Sequence, residues 1–231
     1  EADLIEDNGP RSHVMIFQQS NAAPAYPQIE SVMKGDRPLG WGALSGLVSD
    51  TKQSNTFYAV NDSFYRNQAS IFTIDASSTP AKIISALPVL RDGLPAQKLD
   101  LEGITNDGKG GFWVASEGRT DRLTPHAIYN INKKGEIKKE IPFPAELLAV
   151  EKRFGAEGIT RIGDTLWIAI QRQWKDDPKN TTKLVSYNTK TKEWGAVRYP
   201  TQESNQGWVG LSEITAHGDW VYIIERDNQI D

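Results

Sequence analysis

Carboxylates recur in this chain at fixed intervals, and grouped carboxylates are what a hard cation or a phosphate-processing site requires. Glu102 and Glu157 stand in near-identical contexts, "LEGIT" and "AEGIT", 55 residues apart. Ser45 in "LSGLV" and Ser212 in "LSEIT" share their column, 57 residues before Glu102 and 55 after Glu157. The next column reads Gly46, Gly103, Gly158 and Glu213, and the one after it Leu47, Ile104, Ile159 and Ile214. Each segment then crosses a polar turn and enters an aromatic-rich apolar run: "TFYAVND", "FWVASE", "TLWIAIQ" and "WVYIIER". The runs close on Asp62, Glu117, Gln171 and Glu225.

If each segment is a hairpin, its first and last residues meet on one face. Repetition about a common axis then predicts an acidic ring of Asp62, Glu102, Glu117, Glu157, Glu213 and Glu225. Like charges held together repel, and some must take up protons. A cation removes that penalty, and Ca²⁺ accepts six to eight oxygens at about 2.3–2.6 Å. These six residues are therefore the expected metal ligands, with Ca²⁺ as the expected cofactor. Each Glu at a strand start can instead accept backbone N–H groups of the neighbouring unit and fasten the array without metal.

Cations follow the acids: Arg119, Arg172 and Arg226. Guanidinium groups suit phosphate or carboxylate recognition, so these three are the expected substrate-binding residues. The alternative is a set of exposed ion pairs. Glu102, Glu117 and His126 form the candidate catalytic set. His126 precedes a strand that returns to the acidic face and is the histidine to test as a general base; a satisfied surface histidine is the alternative. His217 belongs to a turn on the opposite face. The chain shows no Ser-His-Asp arrangement and no G-x-S-x-G elbow. "DGKGG", Asp107 to Gly111, reads as a hairpin turn, since no helix or G-K-[ST] follows it.

A period of about 55 residues belongs to propeller blades and similar arrays. After each first hairpin come two more alternating runs, as in "HAIYNINKKGEIKKEIPFP" and "TKLVSYNTKTKEWGAVRYP". Each unit thus reads as four antiparallel strands, the content of a propeller blade. The expected fold is an all-β propeller of four-stranded antiparallel blades, incomplete in this chain, with about three and a half blades visible. The expected single domain, 1–231, holds units at about 44–90, 99–144, 156–200 and 211–231, as part of a longer protein. A β-sandwich would give the same strand patterning but no reason for the period. Trp113, Trp167 and Trp194 fall in strands, where large flat rings fill the wedge between sheets. "SHVMIFQQS", Ser12 to Ser20, is expected as an outer strand of the last blade, and "PAELLAVEKRF", Pro144 to Phe154, as the one helix.

The 231 residues carry 38% hydrophobic and 24% charged residues, a globular balance. A net charge of −4 argues against a nucleic-acid surface, and no apolar run is long enough to span a membrane. The absence of cysteine excludes disulfides and thiolate chemistry. The acidic start "EADLIEDNGP" carries no signal-peptide core. The expected partner is a small molecule, with phosphorylated ones among the candidates because Arg and Ca²⁺ would both suit a phosphate ester.

In order and spacing, these motifs resemble the bacterial phytase-like domain described as "esterase-like activity of phytase". The resemblance rests on "WGALSG" at Trp41 to Gly46, Tyr58 to Asp62, Ser70 to Ile74, Asp100 to Gly118, Pro125 to Pro144, Phe154 to Gln171 and Ile223 to Asp227. It covers about Leu39 to Asn228. It implies a periplasmic or secreted propeller-like domain, hydrolytic toward phosphate or other esters, in a longer chain. Gln171 departs from the pattern, standing where a glutamate is usual. The calcium-dependent propeller phytases are a more distant analogy, resting on fold.

Overall fold

The computed structural model describes residues 29–63, 68–203 and 207–228. The expected strand Ser12 to Ser20 lies outside the described residues, as does most of the loop after Ser63. The chain enters at β1 (Ile29–Ser31) and a small hairpin, β2 (Met33–Lys34) and β3 (Arg37–Pro38). A first sheet follows: β4 (Leu44–Ser49), β5 (Thr56–Asn61), β6 (Ser70–Asp75) and β7 (Ala81–Pro88). After a second small hairpin, β8 (Leu90–Arg91) and β9 (Leu94–Pro95), comes a second sheet. It contains β10 (Leu101–Asn106), β11 (Phe112–Ser116), β12 (Ala127–Ile131) and β13 (Ile137–Pro142). A helical turn, α1 (Ala145–Leu148), leads to the third sheet: β14 (Ala156–Ile162), β15 (Thr165–Ile170), β16 (Thr181–Asn188) and β17 (Trp194–Pro200). The fourth sheet holds β18 (Val209–His217) and β19 (Trp220–Asp227).

The architecture is all-β, with antiparallel four-stranded sheets as the repeated unit. β1 adds a fifth strand to the first sheet, parallel to β7, with Ile29 opposite Ala81. Period-2 patterning explains the strands. In β7, Ala81 and Ile83 are buried while Lys82 and Ile84 face water.

Apolar faces stack sheet on sheet. Val60 and Ile71 of the first sheet meet Leu101, Val114 and Tyr129 of the second. Trp113, Ile128 and Phe143 meet Leu166, Ile168 and Trp174 at the next boundary. Ala169 and Leu184 of the third sheet meet Leu211 and Ile214 of the fourth. Trp113 and Trp194 lie in the second of these layers and Trp167 in the third, each on a strand between sheets.

The first strands of the four sheets, β4, β10, β14 and β18, lie side by side in chain order. Their glycines make this possible. A Cβ on Gly46 would lie 2.6 Å from Glu102 O, one on Gly103 2.7 Å from Ile159 N, and one on Gly158 2.5 Å from Ile214 N. Backbones therefore touch where a side chain would hold them apart.

The expected helix over Pro144 to Phe154 shrinks to one turn. Pro144 precedes it in extended conformation, and the turn ends at Ala149. Two tertiary contacts outcompete further winding: Lys175 N donates to Val150 O at 3.0 Å, and Glu151 turns toward His126. No helix among the described residues is long and apolar enough to cross a membrane.

Candidate functional site

Each of the four sheets carries the same irregularity at the start of its first strand. Register slips between Leu44 and Leu47, Leu101 and Gly103, Ala156 and Gly158, and Leu211 and Glu213. A bulge re-aims the residue it inserts. Ser45, Glu102, Glu157 and Ser212 are those residues, which is why their column differs from the apolar alternation around it.

Glu102 and Glu157 are both buried. The Ser45 hydroxyl donates to Glu102 Oε2 at 2.6 Å and to Glu102 O at 3.0 Å, joining the first sheet to the second. The Gln171 amide donates to Glu157 Oε1. Burial pushes the Glu102 carboxyl well above the usual range; the charges of Glu157, Asp100 and Asp62 push the same way, against the Ser45 hydroxyl. Asp62 is half-buried and receives its position from a bond of its N–H to Ala43 O at 2.9 Å.

Asp100, Glu102 and Glu117 each present an oxygen within 4.8 Å of the others. Glu102 and Glu117 are buried and Asp100 is half-buried. Asp100 is fixed from both sides: its N–H donates to Ser116 Oγ at 3.1 Å, and its Oδ1 accepts Ser63 N at 3.0 Å. Asp100 is not among the residues expected from the repeat. Its column contains Ala43, Gly155 and Gly210, so the repeat does not mark it; the i, i+2 spacing to Glu102 in "DLE" was the available signal.

Glu213 takes another course. It occupies the glycine column, so its side chain enters the space between inner strands. Its carboxylate accepts Ile214 N at 2.8 Å and is also bonded by the backbone N–H groups of Leu47 and Ile159. Burial pushes its carboxyl up to about 8, and the three N–H groups pull the other way. Glu213 thus ties the first, third and fourth sheets together, the fastening role, and is placed apart from the Asp100–Glu102–Glu117 trio.

Glu225 differs more plainly from expectation. Leu101 faces Ser116, Ala156 faces Ile170 and Leu44 faces Asn61, whereas the equivalent Leu211 faces Glu225. The residues that follow these partners are Glu117, Gln171, Asp62 and Arg226. Arg226, not Glu225, completes that column. A one-residue offset moves a strand side chain to the opposite face. Glu225 accordingly lies against the third sheet, where it accepts the Tyr199 hydroxyl at 2.7 Å and Gln202 N at 2.9 Å. Burial and Glu225 together push the Tyr199 hydroxyl up to about 12.

Arg226 reaches the first column of its own sheet, donating to Ser212 Oγ at 2.6 Å, as Gln171 reaches Glu157. The Arg172 guanidinium lies between the rings of Phe154, 3.7 Å from the centroid, and Trp208, 3.2 Å away. Arg226 stands 5.2 Å from the same Trp208 ring. Two of the three expected phosphate-binding arginines therefore gather around one indole. Arg119 does not join them; it forks onto Asp121 at 3.0 Å beside the turn Thr120–Arg122.

His126 is 3% exposed and sits between the second and third sheets. Phe143 and Trp174 flank it at 6.3 and 6.1 Å between centroids, and Nε2 lies 3.4 Å from Glu151. Gly118, at φ 74, and Gly155 leave it room: a Cβ at either would come within 2.8 Å of the imidazole. Burial holds its pKa below the ordinary value, with Glu151 and the Glu117 backbone opposing. The imidazole is thus enclosed between the sheets beside the Glu117 backbone, which departs from the surface histidine given as the alternative to a general base. His217 ends β18, opposite Trp220, at the far end of the inner strands.

Comparison with known proteins adds three findings. AztD of Citrobacter koseri, a solved structure, is similar at 14% identity and a TM-score of 0.39, over 92% of this chain and 45% of AztD. The chain thus spans less than half of AztD's length. Comparison with curated proteins matched none. The family described as Phytase-like, esterase-like activity of phytase, matches residues 39–231, which include every inner strand and every residue of the acidic trio. With its strands, bulges and carboxylates lying inside that match, the chain belongs to the phytase-like family.

Proposed function

We propose that the chain is a phosphoric-ester hydrolase, phytase-like or esterase-like, whose acidic end holds a divalent cation, Ca²⁺ by preference. The observation that carries this reading is the trio Asp100, Glu102 and Glu117, with oxygens within 4.8 Å of one another and two of the three side chains buried. The donor set fits a hard cation: it is all oxygen, anionic and close enough to share one ion. Asp62 stands near enough to act on Glu102 and extends the set. A bound Ca²⁺ would polarise a phosphoryl oxygen and lower the pKa of its water. The chain's own part is to hold and orient. Ser45 fixes one Glu102 oxygen, and Ser116 and Ser63 fix Asp100. Arg172 and Arg226, gathered on Trp208, are the groups to take the charge of a phosphate.

A second reading, a non-catalytic module that binds a small molecule or a protein partner on the same face, is favoured by one observation. Glu157 and Glu213 are engaged by an amide and by backbone N–H groups, the pattern of fasteners. Phosphate release from phytate and from a simple phosphomonoester, measured with Ca²⁺ and with EDTA, decides between them. Calcium-dependent release supports the hydrolase. Equal inactivity in both removes it and leaves binding alone.

The proposal extends to the architecture. The four sheets are consecutive blades of one propeller-like domain, about one axis, within a longer protein. Support comes from the 55-residue repeat and from the contact of first strand on first strand. Family membership is compatible with a periplasmic or secreted location, which completes the proposal.

A further inference from the structure

The inner strands have a second end. β4, β10, β14 and β18 begin at the acidic residues and finish, about 10 Å further on, around a cavity of about 500 Å³ lined by all four sheets. Its lining follows the same repeat. The fourth column, counted from Ser45, reads Val48, Thr105, Thr160 and Thr215, so three sheets each contribute a threonine to the cavity. Thr160 Oγ1 is used internally, accepting Ala216 N at 2.9 Å. Among the described residues, the Thr105 and Thr215 hydroxyls make no hydrogen bond.

One cation stands in this lining. Arg161 is half-buried, and its Nη1 donates to Asp107 O at 3.1 Å. It pairs with no carboxylate among the described residues. Gly108, at φ 76, makes room for it: a Cβ there would lie 2.5 Å from Nη1. Asn106, anchored by its bond to Ser49 O at 2.9 Å, and the ring of Phe57 complete the wall. Between this cavity and the acidic end lies the Glu213 carboxylate, held by three backbone N–H groups. The two ends are therefore chemically separate.

A cavity of this volume suits a small molecule. Hydroxyls from several sides recognise hydroxyls, and a half-buried guanidinium without a counter-charge calls for an oxyanion. We propose that this cavity binds a small hydroxylated carboxylate, with Arg161 on the carboxylate and Thr105 and Thr215 on its hydroxyls. The site is independent of the proposed hydrolytic end and stands or falls without it.

The test is calorimetric titration with D-gluconate in EDTA, which keeps divalent cations away from the acidic end. Saturable binding is expected. Arg161→Gln should weaken it roughly tenfold to a hundredfold, the range for hydrogen bonds to a charged group. Thr105→Val should weaken it roughly two- to tenfold. Thr215→Val, at an exposed position, reads the same hydroxyl contribution if Thr105→Val fails to fold, and Arg161→Lys should keep part of the affinity through its charge. Acetate, which has the charge alone, and myo-inositol, which has the hydroxyls alone, should each bind more weakly than gluconate. Absence of saturable gluconate binding, unchanged affinity in Arg161→Gln, or acetate binding as tightly as gluconate would each overturn the proposal.

Discussion

Replacing Gly103 with alanine tests how the inner strands are held together. The new methyl would lie 2.7 Å from Ile159 N, 2.8 Å from Glu157 O and 2.9 Å from Gly158 C. All three are backbone atoms of β14, so no rotamer change relieves the overlap. Comfortable contact needs about 3.5 Å, so β10 and β14 must part by several tenths of an ångström. Overpacking of this kind costs about 1–3 kcal/mol, and the backbone clash puts this case at the upper end. At about 2–4 °C per kcal/mol for a chain of this size, the melting temperature should fall by roughly 6–12 °C. Gly40→Ala is the control, because nothing lies within 4 Å of its Cβ position; it should leave the melting temperature nearly unchanged. Thermal unfolding followed by far-UV circular dichroism reads both. Parting the strands also moves Glu102 relative to Ser45 and Glu157, so Ca²⁺ affinity should fall in the same variant. Equal melting temperatures for the two variants would refute the claim that backbone contact between first strands sets the sheet spacing.

Glu117→Gln should weaken Ca²⁺ binding about tenfold or more, since cation affinity follows ligand charge, and should lower calcium-dependent phosphate release with it; unchanged calorimetric affinity would exclude Glu117 as a ligand. Glu225→Gln should leave Ca²⁺ affinity unchanged, because Glu225 lies on the opposite face of β19. It should also bring the Tyr199 titration partway back from about 12 toward 10, read by absorbance at alkaline pH. Glu213 makes stability pH-dependent in a definite direction. Its folded value, about 8, lies above its ordinary 4.5, so the native state keeps a proton that the unfolded chain gives up across that interval. The corresponding stabilisation is fully present below about pH 4.5 and is lost as pH rises through 8. Urea midpoints of the protein and of Glu213→Gln at pH 5 and pH 8 check this: the stability of the protein relative to the variant should fall with rising pH, and a constant or growing difference would contradict it.

By itself, the sequence determined the repeat, the strand content and the column that the bulges re-aim. Alternation along a strand is local, so β7 and the hairpins around Glu102 and Glu157 could be read from side-chain types alone. The apposition of Glu102 and Glu117 followed from the same logic, since a hairpin brings its two ends together. Tertiary structure decided the rest. Asp100 joined the acidic trio through contacts with Ser116 and Ser63, at a position the period does not mark. Arg226 displaced Glu225 from the shared column because cross-strand register, set by pairing and a bulge, is not written in either strand separately. Glu213 became a fastener and His126 a packed imidazole because groups from other sheets, the Leu47 and Ile159 amides in one case and Trp174 in the other, reach them only when the sheets stack. Helix α1 stopped after one turn for the same reason: residues distant in sequence claimed Val150 and Glu151 before winding could continue.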